Sequence, residues 1–176
     1  MSVSSAKMSV FVGERFACIK IIGRANFTSS IDFKTLLNEL RQKGYEHFVL
    51  DLSQCILMDS TFLGVLAGFG LKLCAVQKEP GGPGLELLNP NARITELLEN
   101  LGVLHLFNLR TGPLLAPAGT QAAVPAPADA SREEITRASL EAHQTLMQIN
   151  PGNISRFKDV AQFLAEDLKK LGAATK

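Results

Sequence analysis

The sequence has almost no net charge: 18 basic against 17 acidic side chains leave +1 over 176 residues. Such a balance makes no field that would gather nucleic acid or an anionic membrane surface, so recognition must come from local surfaces. Cysteine is scarce, and Cys18, Cys55 and Cys74 each sit inside an apolar run, the pattern of reduced thiols and not of a disulfide framework. His47, His105 and His143 are the only histidines. They fall on a strand start, a terminal strand and a tail helix, with no spacing to cysteine that suits zinc, so neither a metal centre nor a converging Ser-His-Asp set is expected. The longest apolar run, residues 62–76, carries Lys72 and three glycines and falls short of the roughly 20 residues a spanning helix needs. The opening MSVSSAKMSVFV lacks the continuous apolar stretch of a signal peptide. These absences predict a cytoplasmic protein without catalytic residues, metal or cofactor, and without a nucleic-acid or membrane partner.

What is present is 46% hydrophobic residues, enough for one sizeable core and a small accessory element. Residues 17–22 read as a strand stopped by Gly23, with residues 8–12 as its hairpin partner. In IDFKTLLNELRQKG, Phe33, Leu36, Leu37 and Leu40 fall at helical spacing, with Ser30 as N-cap and Gly44 at the C-terminal stop. EHFVLDL, residues 46–52, has the nearly continuous apolar character of a central strand covered by helices. A helix after Ser60 supplies such a cover through Leu63, Leu66, Gly70 and Leu73, and Gly64, Gly68 and Gly70 are expected to admit the sheet closely. EPGGPG, residues 79–84, is a turn; it lacks the Lys-Ser/Thr of a phosphate-binding loop and leads into the strand LELL. NARITELLENLG gives a helix with Ile94, Leu97, Leu98 and Leu101 inward, and VLHLFNL a last strand. The order β β α β α β α β implies a mixed, largely parallel sheet with helices packed against it.

Residues 113–130 change to an Ala/Pro-rich composition without charge until Asp129, which reads as a linker between a domain over residues 1–112 and a tail over 131–172. The tail is two amphipathic helices broken at Asn150-Pro151-Gly152-Asn153. Phe157, Val160, Leu164, Leu168 and Leu171 form the stripe of the second; Ile135, Ala138, Ala142, Leu146 and Ile149 form a weaker one in the first. So small a hairpin cannot stand alone. It must dock on its own domain or on a second chain, the latter giving a homodimer through these helices.

Between the strand ending in LDL and the apolar helix lies Met58-Asp59-Ser60-Thr61, whose last three members are the only polar side chains between Cys55 and Lys72. One of them caps the helix, and serine or threonine at such a place is ordinarily a cap with no chemistry.

The stretch VLDLSQCILMDSTFLGVLAG resembles the STAS domain of bacterial anti-sigma factor antagonists, whose signature is a strand, a short loop and Asp-Ser-Ser/Thr-Gly-Leu-Gly opening a helix. GRANFTSSIDFKTLLNELRQKGYEHFVLDLS and LELLNPNARITELLENLGVLHLFNL are similar to the flanking parts of that fold, so the likeness covers residues 8–110. It implies a non-enzymatic regulator of transcription. The modified residue would be Ser60, or less readily Thr61, exposed at the mouth of a helix. The modifying partner would be an anti-sigma factor that is also a serine kinase of the histidine-kinase-like ATPase fold, with a PPM-type phosphatase reversing the step. Partner contacts would involve Asp59, Ser60, Thr61, Phe62 and Asn26. Phe62 replaces the family's usual glycine, as an interface anchor, an obstacle to the kinase or a core residue. Asn26 stands where many members have an acid. Two alternatives are a constitutive scaffold in a signalling or transport assembly, with Asp59 and Ser60 as cap only, and a small-molecule or nucleotide sensor.

Overall fold

Alternating apolar residues bring the first two strands together. β1 (Lys7–Val12) and β2 (Phe16–Ala25) run antiparallel, with Lys7 opposite Ile22 and Val12 opposite Ala17, which is the predicted hairpin. The computed structural model describes residues 6–76, 85–114, 121–123 and 130–174. After β2 come α1 (Phe27–Gln42), β3 (His47–Met58), α2 (Ser60–Val76), β4 (Leu85–Leu88), α3 (Ala92–Asn100) and β5 (Asn108–Arg110). β3 pairs in parallel with β2 and β4, and β4 with β5. The sheet order is β5-β4-β3-β2-β1-β6, where β6 (Gln121–Ala123) lies antiparallel to β1. Three residues of the stretch read as a linker therefore form an edge strand paired with β1. Most of the remaining linker, and the turn expected at residues 79–84, lie outside the described residues.

Side chains alternate across a strand, and here both faces are used. Ile19, Phe48, Leu50 and Leu87 are buried beneath Phe33 and Leu37 of α1 and Leu63 and Leu66 of α2. Phe16, Cys18, Val49 and Leu88 form a smaller cluster on the opposite face. A strand covered twice has no polar alternation, which is why EHFVLDL reads as it does. Burial pushes the Cys18 thiol up to about 12 and the Cys55 thiol to about 11. Both are uncharged packing groups at neutral pH.

Several boundaries differ from the sequence expectation. α1 begins at Phe27, and its N-cap is Asn26, not Ser30: the Asn26 side-chain oxygen accepts from the Thr28 and Ser29 amides, while the Ser29 hydroxyl accepts from the Asn26 amide. Ser30 lies inside the helix, its hydroxyl donating to the Phe27 carbonyl at 2.6 Å. The apolar stripe starts only at Phe33, so the polar first turn has no periodic mark. Gly44 follows the C-cap Lys43 with φ +96°, a left-handed stop that glycine adopts without strain. β3 continues to Met58 against β2 through two register irregularities. The strand predicted at VLHLFNL is a 3-10 turn at Leu104–Leu106 followed by the three residues of β5, because short apolar runs carry no decisive period.

The tail forms α4 (Arg132–Ile149) and α5 (Ile154–Ala174), joined by the 3-10 turn Pro151–Asn153. Ser131 and Glu134 cap α4 reciprocally. α4 docks on this chain's own domain, against α2 and α1, with Lys34 Nζ 2.9 Å from Glu141 Oε2. The joining turn latches it. Asn153 is 1% exposed, and its amide nitrogen donates at 2.9 Å both to the Leu101 carbonyl, an orphan at the end of α3, and to the Leu146 carbonyl. Asn150 donates to the same Leu101 oxygen at 3.2 Å. α5 packs on α4 through Phe157, whose ring meets His143 edge-on at 5.1 Å, and through Ala161. That rotation leaves Val160 43% exposed, so it is not part of the buried stripe as predicted. Asn153→Ala removes two buried hydrogen bonds, each worth about 0.5–1.5 kcal/mol, and is expected to lower stability by about 1–3 kcal/mol in urea unfolding. An unchanged midpoint would show that the turn is not a latch.

Candidate functional site

Asp59 closes β3 and opens α2. Its amide donates to the Ala25 carbonyl at 2.9 Å, tying the ends of β3 and β2. Its Oδ1 accepts from the Phe62 amide at 2.8 Å, the N-cap bond of α2, and its Oδ2 accepts from the Phe27 amide, the first of α1, at 2.7 Å. One carboxylate thus serves two helix N-termini, where negative charge is favoured. Burial nevertheless pushes the Asp59 carboxyl above its ordinary value, opposed by the Phe62 and Phe27 amides and by the nearness of His143.

Ser60, first residue of α2, is half-buried, its Oγ 2.8 Å from Nε2 of His143 on α4. The His143 ring is buried, with Nδ1 2.7 Å from the Ser139 carbonyl. A carbonyl oxygen only accepts, so Nδ1 carries the proton, and in the neutral ring Nε2 accepts from the Ser60 hydroxyl. Beside it the buried Thr61 Oγ1 lies 2.9 Å from Ser139 Oγ. α4 therefore lies across the start of α2. The approach depends on Gly64, where a methyl group would stand 2.4 Å from the Ala142 carbonyl oxygen; one on Gly68 would make only ordinary contact, 3.5 Å from the Thr145 methyl. Both glycines face α4, not the sheet as expected, and of the two it is Gly64 that admits it. Gly70 does face the sheet's end, where its added carbon would meet the Phe107 ring at 2.8 Å.

Asp59, Ser60 and Thr61 are contiguous at the helix start, and Asn26 caps the neighbouring helix one residue before Phe27. The setting is not the open one expected. Ser60 is partly covered by α4, and Thr61 is buried. Phe62 is fully buried, stacked on Phe33 with ring centroids 4.5 Å apart, so it is core and neither an interface anchor nor an obstacle. Its place in the first turn of α2 faces α1. Ser60 and His143 do converge, contrary to the sequence reading, although the third group on the imidazole is a backbone carbonyl and the Asp59 oxygens are engaged by amides. His143 and Ser139 are the site residues that sequence reasoning missed. Their signal was the pairing of small residues four apart on both helices, Gly64 and Gly68 with Ala138 and Ala142.

The STAS domain family model matches residues 8–113. The chain belongs to the STAS domain family. No curated protein matches it in sequence. Among solved structures, the anti-sigma factor antagonist SpoIIAA in its unphosphorylated form is similar at 18% identity, with 60% of this chain and 89% of that one covered and a TM-score of 0.50. A candidate anti-sigma factor antagonist from Thermotoga maritima is similar at 18% identity, with 61% and 87% covered and a TM-score of 0.52. At such identities the likeness shows the fold, an α/β STAS domain with a mixed sheet, as the sequence implied. α4 and α5 lie beyond the family match. Among the described residues no helix is long and apolar enough to cross a membrane, and no cluster of three or more His, Cys, Asp or Glu side chains could hold a metal ion.

Two outcomes follow from this geometry. Phe62→Ala removes a fully buried ring and is expected to cost about 3–5 kcal/mol in urea unfolding; a surface anchor would cost little. Because the Asp59 value is raised in the folded state, its titration contributes stability that is complete below the unfolded value and lost as pH rises through the folded one. Wild-type stability relative to Asp59→Asn is therefore expected to fall as pH rises from about 3 to about 7. A rise over that range would reverse the assignment.

Proposed function

We propose that this protein is a non-enzymatic signalling switch of the anti-sigma factor antagonist kind, modified at Ser60. What supports the reading is the position of Ser60 as the first residue of α2, directly after Asp59, in a STAS domain. The partner is an anti-sigma factor that is also a serine kinase of the histidine-kinase-like ATPase fold. It contacts the turn formed by Asn26, Asp59 and Ser60, and a PPM-type phosphatase resets the site. A phosphoserine carries about −1.5 to −2 charge, which a helix N-terminus tolerates. Beside Asp59 that charge repels a partner fitted to the neutral hydroxyl. Thr61, buried against Ser139, is the poorer acceptor.

Cover and modification exclude each other in this reading. The Ser60 hydroxyl is spent on His143, and a phosphoryl group on Oγ removes that donor and needs the space α4 occupies. The hairpin lifts before the kinase engages, so the partner's affinity is reduced by the open fraction. Gly64→Ala tests this, since its methyl group collides with the rigid Ala142 backbone. If the wedge weakens docking by about 1.4 kcal/mol, the open fraction, and with it the rate of phosphorylation by the partner kinase, rises about tenfold. Mass spectrometry should place the phosphate on Ser60 and lose it in Ser60→Ala. Phosphate undiminished in Ser60→Ala would refute the site; equal rates in wild type and Gly64→Ala would refute the cover.

A second reading has its own support: both Asp59 oxygens are engaged by backbone amides and Ser60 by His143, as in a constitutive scaffold whose polar residues only hold helices. Ser60→Asp separates the two, because a scaffold keeps its partner and a switch loses it.

A further inference from the structure

We infer that the cleft between α5 and the starts of α1 and α2 binds a single-chain amphipathic carboxylate. The cleft is open to solvent on one side and has a volume of about 630 Å³, within the size range of small-molecule sites. Phe27, Ile135, Phe157, Val160 and Leu164 supply its apolar wall. Phe27 and Val160 are 49% and 43% exposed, so apolar surface there stands in water and an alkyl chain would cover it.

The polar lining fixes the head group. Arg132 and Arg156 both line the cleft, and among the described residues no carboxylate does. Arg132 is held 3.6 Å from Asp167, while Arg156 makes no ion pair among the described residues. One free guanidinium offers a planar two-pronged fork to one carboxylate and balances a single negative charge. A chain seated on Phe27 and Val160 bridges α1 to α5 and touches the flank of the Ser60–His143 pair. It holds the hairpin down, and, under the phosphorylation reading above, slows modification of Ser60. Binding itself does not rest on that reading.

The test is calorimetric titration of the full chain with octanoate, decanoate and dodecanoate, each below its micelle concentration. Affinity is expected to tighten about fourfold per added methylene. Arg156→Gln should weaken dodecanoate about tenfold and leave dodecanol unchanged, whereas Val160→Gln should weaken both. Both substituted positions are exposed, and far-UV circular dichroism checks that the fold persists. No saturable binding of dodecanoate up to about 1 mM would overturn the proposal. So would affinity indifferent to chain length or to either substitution, or association only with anionic vesicles. Whether dodecanoate slows phosphorylation is a separate arm: binding without slowing, while Ser60 is still modified, refutes the regulatory consequence and spares both the cleft and the switch.

Discussion

The Ala142 carbonyl lies so near Gly64 that no side chain larger than hydrogen fits between α4 and α2. The cover over the start of α2 depends on that approach. Two helices meeting backbone to backbone bring the first turn of α2 within hydrogen-bond reach of α4, and Ser60 and Thr61 then find His143 and Ser139 at 2.8 and 2.9 Å. A bulkier residue at position 64 would hold the helices apart. The polar start of α2 would then be left to water.

Two constraints fix where α4 sits along α2. Midway along α4 the Lys34–Glu141 pair joins it to α1; beyond its C-terminal end Asn153 spends its buried amide on the ends of α3 and α4. The exposed ion pair adds little to stability, on the order of 0–1 kcal/mol, whereas a buried amide shared by two carbonyls is costly to lose. The turn between the tail helices is thus the stronger anchor. Asp59 works from beneath, joining the N-termini of α1 and α2 so that the surface under α4 is one rigid piece.

Much of this fold was legible. The β β α β α β α β order, the antiparallel first hairpin and the inward faces of α2 and α3 follow from apolar period and from turn residues such as Gly44. The first turn of α1 was missed because Phe27 to Ser30 carry no stripe, and the last strand was overextended because an apolar run of seven residues fits strand and turn alike. The site was half legible. Asp59 and Ser60 stand out as polar residues in an apolar stretch, but what covers them lies some 80 residues downstream, and no local pattern links Ser60 to His143 across 83 positions. Phe62 was ambiguous because an aromatic ring reads the same at an interface and in a core; only its stacking on Phe33 decides. Gly64 and Gly68 were noticed and given the wrong neighbour, since one helix cannot show which of two surfaces it approaches.

Native-state hydrogen exchange of the full chain tests most directly whether α4 is an integral part of this domain. If it is docked as described, the amides of residues 136–149 are protected to nearly the same free energy as those of the central strand β3. Exchange of α4 at rates near those of an unstructured chain, with β3 still protected, would contradict the account.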